Sequence, residues 1–109
     1  MNKLHVYLDD KRPLPCWFDV LVRTAEEAIE MIKRGEVEFI SLDNDLGSGY
    51  TEGKKVAQFI EQAYILGEIE FVDFNPHTDN PAAWEEIMTC KRNVYKNRNI
   101  NVLVKIFLK

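Results

Sequence analysis

Two short runs of acids, Leu8-Asp9-Asp10 and Leu42-Asp43-Asn44-Asp45, hold the residues of this 109-residue chain best suited to chemistry. Crowded carboxylates repel unless a proton or a cation offsets the charge. Each run closes an apolar stretch that reads as a strand. If those strands are parallel neighbours, both runs open on the same rim of the sheet, which is where open α/β sheets bind ligands. Hard oxygen donors without cysteine suit Mg²⁺ or Mn²⁺ better than zinc. Magnesium takes one or two carboxylates, keeps several waters and reaches a substrate phosphate. Asp9, Asp10 and Asp43 are the metal candidates. Asp45 either takes part in catalysis or bonds the loop amides around Gly47 and Gly49. His77 and Thr78 end a further strand, with Asn80 just beyond. An imidazole titrates near neutrality, so His77 is a candidate proton donor. Arg12, in the loop after the first strand, suits a phosphate oxygen. Thr78 and Asn80 are candidate substrate contacts. Each residue also has a plainer reading: the aspartates as turn formers, His77 as a loop residue, Asn80 as a helix N-cap, and Arg12 as an ion-pair partner of the acids.

The elements that must position these residues follow from period and punctuation. Leu4 to Leu8 alternates as a strand, and Pro13 and Pro15 keep Lys11 to Trp17 in a loop. Phe18 to Arg23 is a second strand. Thr24-Ala25-Glu26-Glu27 is a capping box that opens a helix ended by Gly35. Val37 to Leu42 is the third strand. After Gly47-Ser48-Gly49, which is a turn or a weak phosphate cradle, a helix runs from about Glu52 to Leu66, stopped by Gly67. Ile69 to Asn75 is a fourth strand. Asn80 caps a third helix with Pro81 at its first position, and Ala83, Ile87, Cys90 and Val94 form its core face. Asn101 to Leu108 reads as a final strand.

Strands alternating with helices imply a mostly parallel sheet. The expectation is a single α/β domain over residues 1–109, with five strands in the order 2-1-3-4-5. Right-handed crossovers then put all three helices on one face. The opposite face would carry His5, Tyr7, Leu21, Phe39, Phe71, Leu103, Lys105 and Phe107. A face this apolar prefers cover, so a homodimer or a protein partner is expected there.

Composition narrows the class. The chain is 46% hydrophobic and 29% charged, as in an ordinary globular domain. No apolar run approaches the roughly 20 residues of a membrane span. The first residues have no secretory h-region, so a cytoplasmic location is expected. Cys16 and Cys90 lie far apart and form neither a zinc knuckle nor a redox motif. Charge is unevenly spread: all 18 acidic residues precede residue 87 alongside eight Lys/Arg, a net −10, and six Lys/Arg follow, a net +6. A basic tail beside an acidic pocket either steers an anionic ligand or complements a helix dipole.

Asp9-Asp10 followed by Asp43 resembles the receiver domains of response regulators, in which paired acids hold Mg²⁺ and the later Asp accepts a phosphoryl group. The ending Val104-Lys105-Ile106-Phe107-Leu108-Lys109 lacks the receiver Lys-Pro and final helix. A closer resemblance is to the cyclic-phosphate processing receiver domain family. Its pattern is matched by Leu8-Asp9-Asp10-Lys11-Arg12-Pro13, by Leu42-Asp43-Asn44-Asp45-Leu46-Gly47 and by His77-Thr78-Asp79-Asn80-Pro81. Trp17 and Arg23-Thr24 are similar to that family too. Asn44 and Ala82-Ala83 depart from it, a histidine and a glycine being usual there. The resemblance implies a reduced receiver-like, flavodoxin-like fold. It also implies a metal-dependent phosphoesterase acting on a cyclic phosphate of a nucleotide or RNA end, with Mg²⁺ or Mn²⁺ as cofactor. A non-catalytic nucleotide- or protein-binding module and a phospho-accepting receiver are the alternatives.

Overall fold

The computed structural model describes residues 3–44 and 52–108, residue 52 by its backbone alone. Among them, four strands and three helices follow in the order β1 (Leu4–Leu8), β2 (Val20–Val22), α1 (Ala25–Lys33), β3 (Val37–Leu42), α2 (Glu52–Ile65), β4 (Asp73–Pro76) and α3 (Pro81–Phe107). The sheet is parallel throughout, with strand order β2-β1-β3-β4.

The local signals act as their chemistry dictates. The Thr24 hydroxyl accepts from the Glu27 amide at 3.2 Å and donates to the Glu27 carboxylate at 3.1 Å, which fixes the start of α1. Gly35 and Gly67 adopt φ of 74° and 76°, and each closes a helix with paired backbone bonds back into its last turn. Inward residues of the strands, Val6, Leu8, Val22, Ile40, Leu42 and Phe74, pack against Ala28 and Ile32 of α1, Val56 and Ile60 of α2, and Ile87 and Val94 of α3. The core therefore lies between one sheet face and the helix layer, and Ala83, Ile87, Cys90 and Val94 are all buried as the helical spacing requires.

Among the described residues there is no fifth strand. Asn101 to Leu108, read as a strand, instead continue α3 to Phe107 and its C-cap Leu108. No glycine or proline interrupts the chain between Pro81 and Lys109, so nothing stops the helix, and seven consecutive helical turns outweigh the modest β preference of Val and Ile. The order 2-1-3-4-5 is corrected to 2-1-3-4, and Leu103, Lys105 and Phe107 belong to α3 rather than to the open sheet face. β2 and β4 are also shorter than Phe18 to Arg23 and Ile69 to Asn75, because pairing begins only at Val20 and Asp73. Among the described residues no helix is long and apolar enough to cross a membrane. Asp45 and Gly47-Ser48-Gly49 lie outside the described residues.

Candidate active site

Strand register builds the site. Leu8 is aligned with Val22 on one side and with Leu42 on the other, and Leu42 is aligned with Pro76. The next residue of each strand then falls in a single row across the carboxyl rim: Arg23, Asp9, Asp43 and His77. Backbone bonds extend the ladder by that one step, from Asp9 N to Val22 O, from Asp43 N to Leu8 O and from His77 N to Leu42 O. Side chains alternate along a strand. With Leu8, Leu42 and Phe74 facing the helices, Asp9, Asp43 and His77 turn to the opposite face. They bring one ligand atom each to within 4.8 Å of one another. Asp10, one position further, is not in this trio.

Asp9 is the centre of the network. Its side chain is 1% exposed. Oδ1 accepts from the amides of Lys11 and Arg12, both at 2.8 Å, and Oδ2 meets His77 Nε2 at 3.0 Å. Burial alone would raise this carboxyl's pKa. The amides of Arg12 and Lys11, together with His77, outweigh it and hold the group below the usual carboxylate range.

His77 is gripped on three sides. Its ring stacks on Tyr7 at 4.3 Å with 5° between the planes, and Nδ1 meets the Ser41 hydroxyl at 2.6 Å. Tyr7 and Ser41 are paired neighbours in the row beneath. Burial pulls the imidazole pKa below its ordinary value, against the opposing influence of Asp9 and Asp43. The ring is therefore neutral at pH 7. An ionised Asp9 only accepts, so Nε2 carries the proton, and Nδ1 accepts from Ser41.

Arg12 lies over the trio. Its guanidinium is 3.3 Å from the His77 carbonyl, 3.9 Å from Asp9 and 3.8 Å from Asp79. Tyr7 first, then Asp9 and Asp43, hold it firmly cationic. Arg23 donates to the Asp9 carbonyl at 3.0 Å. Among the described residues, the buried Oδ1 atom of Asp10 has no hydrogen-bond partner, which is costly unless a cation or water meets it. An ionised carboxylate offers about four lone-pair sites, so Asp9 also keeps acceptor capacity beyond its three bonds. The converging carboxylates of Asp9 and Asp43, hard oxygen donors, fit Mg²⁺ or Mn²⁺.

The other candidates have structural duties. Asn80 Oδ1 accepts from the amides of Ala82 and Ala83 at 3.0 and 3.2 Å, the N-cap of α3. Thr78 Oγ1 accepts from Asn80 N at 3.2 Å. Asn44 is buried and accepts from Lys54 N at 3.0 Å, tying the chain after β3 to the first turn of α2. Four contributors lay outside the sequence reading: Ser41, the Tyr7 stack, the Arg23 bond and Gly53. Ser41 is a lone hydroxyl in an apolar strand, two residues before Asp43 and so on the same face, a signal that period-2 counting exposes. Gly53 has no such signal. A Cβ there would stand 2.5 Å from the Asp43 carbonyl oxygen.

A family model described as the cyclic-phosphate processing receiver domain matches residues 4–93. The chain belongs to this family. The match takes in all four strands, the rim row and α3 through Asn93. No curated protein and no solved structure matches the chain. Within this receiver-like domain, the two departures from the family pattern have packing roles: Asn44 is the buried bond to α2, and Ala83 is part of the core.

Proposed function

We propose that this receiver-like domain is a metal-dependent phosphoesterase that opens a cyclic phosphate on a nucleotide or an RNA end. The observation that carries this reading is the rim row, where two carboxylates and an imidazole from three adjacent strands converge beneath a guanidinium. Asp9 and Asp43, with Asp10 next to Asp9 in the chain, would hold Mg²⁺ or Mn²⁺. When bound, such an ion supplies charge stabilisation on phosphoryl oxygens and an acidified water.

The chain's own residues supply the rest. Arg12 clamps a non-bridging phosphate oxygen. Thr78 and Asn80, just beyond His77, are the candidate contacts for the ester. Asp45 is the remaining acid of the second cluster. Water attacks phosphorus, a new P–O bond forms as the water's proton passes to solvent, one P–O bond to the ribose breaks, and the departing oxygen takes a proton. His77 is the donor in its doubly protonated form, the minor species at pH 7, and burial makes that cation a stronger acid than free imidazolium. Ser41 and Tyr7 fix the ring that must deliver that proton.

The test is turnover of 2′,3′-cyclic nucleotides and of RNA oligomers bearing that end, with Mg²⁺ or Mn²⁺. Asp43→Asn and His77→Ala should each lower kcat/KM by about 100-fold or more. Equal turnover in wild type and both variants would remove the site. A second reading, a non-catalytic nucleotide-binding domain, is favoured by Asn44: this side chain offers no acid or base and is spent on Lys54 N. Tight nucleotide binding by the wild-type chain without turnover would establish it.

A further inference from the structure

The buried stripe of α3 ends at Val94, one residue past the family match. The helix nevertheless runs on to Phe107. In this tail Ile100, Val102, Leu103, Ile106, Phe107 and Leu108 are between 48% and 82% exposed. At 3.6 residues per turn, the apolar positions from 100 to 108 cover about two-thirds of the circumference. Arg98, Asn101 and Lys105 form the remaining polar strip. Monomers rarely expose a contiguous apolar patch beyond a few hundred Å².

The same chain carries a second, half-buried surface that no helix covers. On the helix-free sheet face, a cleft of about 630 Å³ is lined by His5, Phe39, Phe71 and Asp73, with Tyr95 and Arg98 of α3 as its wall. The tail therefore leaves the domain at the edge of this cleft. Glu38 and Asp73 line it together with Lys3, His5 and Arg98, where Glu38 meets His5 Nε2 at 2.8 Å and Asp73 lies 3.6 Å from Lys91.

We propose that the α3 tail of one chain docks on the helix-free sheet face of a second copy, and the reverse, as a twofold dimer. Three observations select this occupant. A stable dimer takes about 800 Å² from each partner, and six large side chains at this exposure offer area of that order. An apolar arc this wide exceeds the narrow seam that one facing helix would cover, so it calls for a broad surface such as a sheet face. Lys105, in the polar strip of the tail, matches Glu38 and Asp73 of the cleft.

The experiment is light scattering and sedimentation of the full chain over a concentration series, with circular dichroism confirming that each variant folds. Wild type should show twice the chain mass. The double variant Leu103→Lys/Phe107→Lys, changed only at exposed positions, should raise the dimer dissociation constant at least about thirtyfold. Glu38→Lys, at the cleft, should weaken the dimer as well. A wild-type monomer at every concentration overturns the proposal, and so does a dimer indifferent to the tail variant. A dimer that needs the tail but ignores Glu38→Lys overturns the docking face. Monomer that sediments with phosphatidylserine vesicles assigns the tail to a membrane surface instead.

Discussion

Asp9 at the rim is 1% exposed, whereas Phe107 at the far end of α3 is 82% exposed. Both invert the usual sorting of charged and apolar groups, and the difference lies in how each is compensated. The buried acid is compensated inside its own chain: two amides, an imidazole and a nearby guanidinium surround it. The exposed tail has no such cover among the described residues of its own chain. The rim is thus a finished network that depends on the fold around it. The tail is a surface whose partner must come from elsewhere. Perturbing the rim should therefore cost stability in the isolated chain, and perturbing the tail should not.

Gly53 gives the largest expected effect. It opens α2 against the backbone of Asp43 and Asn44, where a Cβ would lie 2.5 Å from a carbonyl oxygen and 2.9 Å from its carbon. Alanine at a helical position gains up to about 1 kcal/mol of propensity over glycine. Overpacking against backbone costs about 1–3 kcal/mol or more, so the clash wins. Gly53→Ala should lower stability by about 2 kcal/mol in urea unfolding and displace Asp43. A variant as stable as wild type would mean that the rim tolerates movement and is not the rigid partner in the comparison.

That glycine also marks where sequence reading reached its limit. The acids, His77, the Thr24 box, both glycine stops and the core face of α3 were legible, because each depends on local spacing or on one side chain's chemistry. The single row of Arg23, Asp9, Asp43 and His77 was not. Register is a relation between strands, and a one-residue slip would have set Asp10 in place of Asp9. The close approach of Gly53 is likewise tertiary. The tail was misread for a different reason: Val102, Val104 and Ile106 alternate as a strand would, but a strand needs an edge to pair with, whereas a helix already under way needs only the absence of a stop.

Ser41 comes next in size. Its hydroxyl is the donor that satisfies His77 Nδ1 at 2.6 Å, in a setting where Ser41 itself is buried. Ser41→Ala leaves a buried acceptor unmet and should cost about 1–2 kcal/mol. It should also reduce turnover through a looser His77 ring, with kcat falling more than KM rises. Unchanged stability and unchanged kcat together would show that the Tyr7 stack alone holds the ring.

Acid sensitivity separates the two regions further. The folded pKa of His77 is depressed, so between that value and the ordinary 6.5 the unfolded chain binds more protons than the folded one. Stability must then fall as pH drops below about 6.5, and level off below the folded value. Asp9 adds a second loss. Its folded pKa is also depressed, so its contribution is present above the ordinary 3.8 and disappears as pH falls through the folded value. Urea midpoints measured in chelator should show the upper loss in wild type and not in His77→Asn. Equal slopes in the two proteins would mean that the imidazole is not the group titrating there.

The smallest effect is expected in the tail, and its smallness is informative. Phe107 makes no contribution to the core, and α3 is already anchored by Ala83, Ile87, Cys90 and Val94. Phe107→Ser in dilute, monomeric protein should change unfolding stability by no more than about 0.5 kcal/mol, as for an exposed site without special contacts. The same substitution should shift the unfolding midpoint downward only where the wild type is concentrated enough to associate, because a partner that binds the folded state alone stabilises it by mass action. A concentration-independent loss of several times that size would place Phe107 in the fold of its own chain. The tail would then resemble the rim, and the contrast between an internally compensated site and an externally completed surface would fail.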